Sequence, residues 1–232
     1  VKSFRLIGFD ADDTLWHSED GFEADKARFV ELVAPYAAPD VDLIATLTHT
    51  ERRNLSSFGY GVRSFGLSMI ETAVTVTEGR ISAVALGEMV TMTRQHLEQP
   101  VRLLPGVEQV VRDVGAAGFR TVLITKGDLL HQTQKIASSG LADLFDACEV
   151  VLEKNAATYE RLLAQFGVAA HEFCMVGNSL RSDILPVMDL GGHGVHVPYH
   201  LLWELEEHDP DHSHEYTELP SLAALPDWLT TP

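Results

Sequence analysis

The sequence predicts an α/β protein, a doubly wound parallel sheet interrupted by an inserted bundle of four helices. Three observations predict it. A short apolar strand at residues 6–9 runs straight into the acidic stretch Asp10-Ala11-Asp12-Asp13. Residues from about 17 to 104 then follow a helical period, and from residue 105 onwards strand and helix patterns alternate towards the end of the chain. The expected organisation is a core built from 1–16 and 105–232, with the helical insert at 17–104.

Each element has a local reason. Leu6-Ile7-Gly8-Phe9 is apolar enough to be buried on both faces, as a central parallel strand must be. In the insert, four stripes read as helix faces: Phe22, Phe29, Val30 and Val33; then Leu43, Ile44, Leu47, Leu55 and Phe58; then Val62, Phe65, Met69, Ala73 and Val76; then Ile81, Val84, Ala85, Met89 and Met92. Short links containing Pro35, Pro39-Asp40, Gly59 to Gly61 and Gly79 suit an antiparallel bundle. Pro105 opens a helix that Gly115 and Gly118 close. Beyond it the pattern predicts a strand at 121–125, a helix at 128–139, a strand at 147–152, a helix at 156–166 ended by Gly167, and strands at 173–176 and 194–197. A short helix over 222–229 closes the chain. The acidic, His-rich stretch 206–215 reads as a solvated loop, with a metal tract as the compositional alternative.

Composition narrows the functional classes. The apolar fraction is 45% and the charged fraction 22%, ordinary values for a globular chain. A formal net charge of -17 repels a nucleic-acid backbone, so no nucleic-acid partner is expected. It leaves room for a small phosphorylated ligand, because one metal ion and a few local cations make a single cleft positive. The two cysteines, Cys148 and Cys174, each fall in a predicted strand and are expected to be buried free thiols, which points to a reducing cytoplasm. No apolar run is long enough to span a bilayer and no leader pattern is seen, so neither membrane nor secretion is expected. Nothing in the pattern specifies an oligomeric state.

The chemistry gathers at strand ends. Side chains at i and i+2 of an extended chain share a face, so Asp10 and Asp12 can enter one site. Two neighbouring carboxylates need a cation, a shared proton or contrasting environments. Thr125 ends the second strand, Lys154 follows the third, and Gly177-Asn178-Ser179-Leu180-Arg181-Ser182-Asp183 follows the fourth. They add a hydroxyl, an ammonium and a third carboxylate, an inventory that suits phosphoryl transfer. Simpler roles exist for each: Thr125 as a cap, Lys154 as a solvated charge, Asp183 in the first turn of a helix. Asp13 is turned away by the strand alternation and reads as structural.

With those residues in place, the chain resembles the haloacid dehalogenase-like hydrolase superfamily, in its phosphatase branch with a helical cap of the C1 type inserted after the first strand of a Rossmann-like core. Asp10-Ala11-Asp12-Asp13-Thr14-Leu15 is similar to the family's first motif, Leu123-Ile124-Thr125 to the second, Lys154 to the third and Gly177 to Asp183 to the fourth. The resemblance covers nearly the whole chain. It implies a Mg²⁺-dependent phosphohydrolase of small phosphate monoesters, with Asp10 as nucleophile, Asp12 as general acid and base, and Thr125 and Lys154 on the phosphoryl oxygens. Ala11 and Lys126 join the implied phosphate contacts. Lys126, where an Asn is common, can reach either phosphate or solvent. Asp10, the backbone carbonyl of Asp12, Asp183 and Asn178 form the implied metal set.

Asn178 stands where the family most often has an acid, so weaker Mg²⁺ binding is expected. A phosphomutase or phosphotransferase uses the same Asp pair, and a non-catalytic binding protein can keep the fold. Dehalogenases use one Asp and no metal, which Asp12 and Asp183 disfavour. Phosphonate hydrolysis in relatives uses an imine-forming cap lysine, and the sole lysine of the insert is Lys26. Arg52, Arg53, Tyr60, Arg63 and His17 are candidates for gripping substrate.

Overall fold

The computed structural model describes residues 2–206 and 215–231. The His-rich stretch of 206–215 lies, apart from its two ends, outside the described residues. The chain divides into two compact units, Val1–Ser18 with Val101–Pro232, and Glu19–Pro100.

The first unit is a six-stranded parallel sheet: β1 (Leu6–Phe9), β2 (Arg120–Lys126), β3 (Ala147–Val151), β4 (Phe173–Gly177), β5 (His193–His196) and β6 (Thr217–Glu218), in the spatial order β3-β2-β1-β4-β5-β6. The two-residue β6 carries no sequence signal, because two residues show no periodicity. Alternation along the strands sorts the core into two layers. Ile7, Phe9, Leu123, Cys174, Val176 and Val195 share one cluster with Val107, Val110, Val111 and Val114 of helix α5 (Val107–Ala116) and with Leu225 and Leu229 near the end of the chain. Leu6, Val122, Ile124, Phe173 and Met175 share the other with Tyr159, Leu162 and Leu163 of α7 (Ala156–Phe166). Gly8 keeps these layers close: a Cβ there would lie 2.7 Å from the Phe173 ring and 2.8 Å from the Met175 sulfur.

Strand β1 has β2 on one side and β4 on the other, in register Phe9 with Leu123 and Phe9 with Val176. The chain winds away from β1 in both directions, which opens a crevice at the carboxyl ends of these strands. Residues 10, 125, 154 and 177–183 all lie at that end. Helix α6 (Leu129–Ser138) starts just after β2, capped by Asp128, whose side chain accepts from the His131 amide at 2.8 Å. A π-helical turn, Leu180–Ile184, follows β4 and leads into α8 (Leu185–Met188). A closing helix, α9, spans Leu225–Thr230.

The second unit contains α1 (Glu19–Val33), α2 (Leu43–Phe58), α3 (Val62–Val76) and α4 (Ala83–Leu97). Asp42 and Ser82 cap α2 and α4 by accepting from Ala45 N at 2.9 Å and Ala85 N at 3.1 Å. Phe29, Val33, Leu47, Phe65, Met69, Ala73, Met89 and Met92 form its core. Three residues of the expected stripes do not bury: Val84 is 82% exposed, Phe58 52% and Ile44 36%. Val84 and Ile44 sit next to the buried Ala85 and Leu43, about 100° round the helix, and Phe58 is the last residue before the turn at Gly59. Cys148 also departs from expectation. It is exposed, because β3 is the edge strand, whereas Cys174 is buried in β4; both are free thiols. Among the described residues no helix is long and apolar enough to cross a membrane.

Within the helical unit Glu19 is 8% exposed. Burial, opposed by the Lys26 ammonium 3.5 Å away, pushes its carboxyl up from 4.5 to about 7. The folded chain then holds a proton that the unfolded chain has released, so this group's contribution to stability falls as pH rises from about 4.5 to about 7. Glu19→Gln, neutral and similar in shape, is expected to melt a few degrees above the wild type at pH 8 and alongside it at pH 4, as read by thermal melts.

Candidate active site

At the carboxyl end of β1 the chain leaves the sheet as a tight turn. Asp10 N donates to the Val176 carbonyl at 2.9 Å, and Leu15 N and Trp16 N both return to the Ala11 carbonyl. Asp13 adopts φ 63°, a left-handed conformation that a short polar side chain tolerates. It also accepts from Ser18 N at 2.8 Å, a structural role.

The centre of the site is a buried ion cluster. Lys154 Nζ donates to Asp10 Oδ1 at 2.5 Å and to Asp183 Oδ1 at 2.7 Å, and all three residues are at most 6% exposed. Asp10 Oδ2 accepts from Thr14 Oγ1 at 3.0 Å. Asp183 Oδ2 accepts from Ser179 N at 3.1 Å, and it packs so closely on β4 that a Cβ at Gly177 would lie 2.2 Å from it. Only glycine admits that approach. Burial raises the Asp10 carboxyl to about 7 despite Lys154, with Asp183 adding to the rise. Burial alone would strip the proton from Lys154, but the two carboxylates outweigh it and hold the ammonium charged.

Asp12 is held differently. Its Oδ1 accepts from Trp16 Nε1 at 2.5 Å and from Lys135 Nζ, and its Oδ2 accepts from Gln132 Nε2 at 2.7 Å. Burial would raise this carboxyl, yet Lys135 and the other donors bring it below the usual value. Two adjacent acids thus have opposed environments.

The model of a haloacid dehalogenase-like hydrolase matches residues 4–186. The chain belongs to this family. It is similar over 98% of its length to the structure of a haloacid dehalogenase-like family hydrolase from Xanthomonas campestris, with 43% identity, a TM-score of 0.85 and 91% of that chain covered. A glyceraldehyde 3-phosphate phosphatase from Methanothermobacter thermautotrophicus is 28% identical over 221 residues, 90% of each chain. Another of that name from Pyrococcus furiosus is 30% identical over 128 residues, 53% of each chain, so this chain aligns with about half of that relative's length.

In this haloacid dehalogenase-like hydrolase the motif positions are met to different degrees. Asp10, Lys154 and Asp183 are in direct contact. Thr125, 1% exposed, is tied to Asp12 and not to that cluster, through Gln132, whose Nε2 donates to Thr125 Oγ1 at 3.1 Å and to the Lys126 carbonyl at 2.9 Å as well as to Asp12. Lys126 is drawn in from solvent: its ammonium donates to Ser182 Oγ at 2.9 Å and to the Glu206 carboxylate. Glu206 also accepts from Ser179 Oγ and Ser182 Oγ, both at 2.5 Å. Burial works against its charge, but Lys126 and the serines hold it below its ordinary value.

Sequence reasoning missed Thr14, Trp16, Gln132, Lys135 and Glu206. Gln132 and Lys135 had a usable signal, since residues three apart on a helix share a face and α6 starts beside the site. Glu206 had none, being separated from Lys126 by 80 positions.

The family implies a cation beside the Asp pair, and the residues fit one. The terminal amide atom of Asn178 that faces the pair lies 3.3 Å from Asp10 Oδ2 and 3.2 Å from the Asp12 backbone carbonyl. With its oxygen in that position, a carboxylate, a carbonyl and an amide oxygen converge as a hard oxygen set. Among the described residues no group of three or more His, Cys, Asp or Glu side chains is placed for a metal, so carbonyl and amide oxygens must complete the set.

Lys154→Met leaves Asp10 and Asp183 buried together without their cation. It is expected to cost about 3–5 kcal/mol at pH 8. The cost is smaller at pH 5, where Asp10, whose carboxyl burial already raises to about 7, takes up a proton. Urea unfolding at the two pH values measures both.

Proposed function

We propose that the protein is a Mg²⁺-dependent phosphohydrolase that acts on a small phosphorylated metabolite through an aspartyl-phosphate on Asp10. The observation that carries this reading is the Lys154 ammonium buried between Asp10 and Asp183, beside a second acid held in a contrasting environment. The names of the two archaeal relatives support a phosphate monoester of small size. Lys26 is paired with Glu23 at 2.6 Å and its charge is reinforced, so it is a poor imine-forming amine. Two free cysteines fit a reducing cytoplasm, and the net charge of -17 disfavours a nucleic-acid partner.

In the first step an Asp10 carboxylate oxygen attacks phosphorus. A new O–P bond forms as the bond to the leaving alcohol breaks, and Asp12 supplies the alcohol's proton. Water then attacks the aspartyl-phosphate and gives its proton to Asp12, and the Asp10 O–P bond breaks to release inorganic phosphate. Thr125 and Lys154 hold the phosphoryl oxygens, and Lys154 offsets the charge of Asp10. Trp16, Gln132 and Lys135 favour the Asp12 anion, the form needed to accept the proton from water. Asp10, the Asp12 carbonyl, Asp183 and Asn178 would hold Mg²⁺, which would supply positive charge against the phosphate oxygens.

Hydrolysis of p-nitrophenyl phosphate tests the reading. The wild type is expected to turn over with Mg²⁺ and to stop with excess chelator, and Asp10→Asn is expected to lose at least about 10³-fold in kcat. Metal-independent turnover, or turnover that survives Asp10→Asn, would refute it. The pH profile supplies a second check. Asp10 must be ionised to attack, and its carboxyl stands at about 7 in the metal-free protein. A neighbouring cation favours the anion, so the acidic limb of kcat/KM is expected to move to lower pH as Mg²⁺ is raised.

A further inference from the structure

The backbone of residue 178 is fixed on both sides. Its N–H donates to Thr14 Oγ1 at 3.1 Å, and its carbonyl accepts from His196 Nε2 at 3.0 Å. The Asp10 carboxylate opposite is also fixed, by Lys154 on Oδ1 and Thr14 on Oδ2. One amide atom of the Asn178 side chain therefore stands against Asp10 Oδ2 and the Asp12 carbonyl, 3.3 and 3.2 Å away, whichever atom it is. As an oxygen it faces these two acceptors, and the one donor nearby, the Thr14 hydroxyl 3.4 Å away, already gives its single proton to Asp10 Oδ2; a cation between the oxygens relieves that arrangement. As a nitrogen it donates to both. The two states differ by half a turn about a side-chain torsion that is broad and roughly two-fold for Asn, so no backbone movement is needed.

We propose that Asn178 is a stand-in for the cation: in the metal-free protein its amide nitrogen bridges Asp10 and the Asp12 carbonyl, and metal binding turns the amide over to present its oxygen. This rests on the reading that the Asp pair holds a divalent cation. An Asp at position 178 offers acceptors only. It would add a carboxylate next to Asp10 in the metal-free state and a charged ligand in the metal-bound state. Asn178 thus sacrifices metal affinity for a metal-free site in which the polar atoms are paired.

The side-chain amide of Asn178 reports the turn directly. In the ¹⁵N-labelled protein its NH₂ resonance is assigned by its loss in Asn178→Asp, and its hydrogen exchange is followed from chelator into saturating Mg²⁺. Protection is expected without metal and is expected to fall at least about tenfold on loading, while other side-chain amides stay unchanged. By calorimetry Asn178→Asp is expected to bind Mg²⁺ at least about tenfold more tightly and to melt below the wild type when metal-free. Asn178→Ala, which adds no charge, is expected to share the lower metal-free melting point without the gain in affinity. An Asn178 amide whose exchange ignores bound Mg²⁺ would overturn the proposal, as would an Asn178→Asp protein with wild-type melting and affinity. A wild type that binds no Mg²⁺ at millimolar concentration overturns it together with the metal-dependent function. If the amide turns but no phosphate ester is hydrolysed, the proposal stands and the phosphatase reading falls.

Discussion

The candidate site depends on one ammonium group. Lys154 Nζ is withdrawn from water and placed against two carboxylates that are also withdrawn from it. A buried lysine without partners gives up its proton, and two buried acids without a cation cannot both ionise. Each of the three residues makes the charged form of the others tenable. They come from three strand ends, after β1, β3 and β4, so the sheet must be assembled before the cluster can exist.

Around that cluster the two acids of the first motif are treated in opposite ways. Asp10 lies deeper, with one cation shared with a competing acid, and its proton affinity rises. Asp12, two residues on, meets an indole N–H, an amide and an ammonium, and its proton affinity falls. The contrast is built largely by α6, which sends Gln132 and Lys135 back over the site from one face. A further tie closes the rim. Glu206 joins the residue after Thr125 to the turn that carries Asp183, through Lys126, Ser179 and Ser182. The family match ends at residue 186, so this tie is made by chain beyond the matched region.

Lys126 shows how the identity of a residue and its role separate. Its position directly after Thr125 put it next to a phosphate site. In the folded chain its charge is already balanced by Glu206, with Glu153 at 3.7 Å. The insert shows the same limit for packing. Periodicity found all four helices but placed Val84 and Phe58 in the core, because a stripe of apolar residues specifies a face and not its edges.

What the sequence by itself determined is what short-range rules govern. Apolar runs and helical period marked β1 to β5 and the helices other than α8, strand ends marked where Asp10, Thr125, Lys154 and Asp183 would lie, and the order of four motifs pointed to the family. Only the tertiary structure decided which of those residues touch, which charges are balanced and what surrounds each acid. Contacts such as Lys135 to Asp12 and Glu206 to Lys126 join residues 123 and 80 positions apart. Local spacing carries no information about such pairs. They form only when β-strand order and helix packing bring the partners together in a place dry enough for their charges to matter.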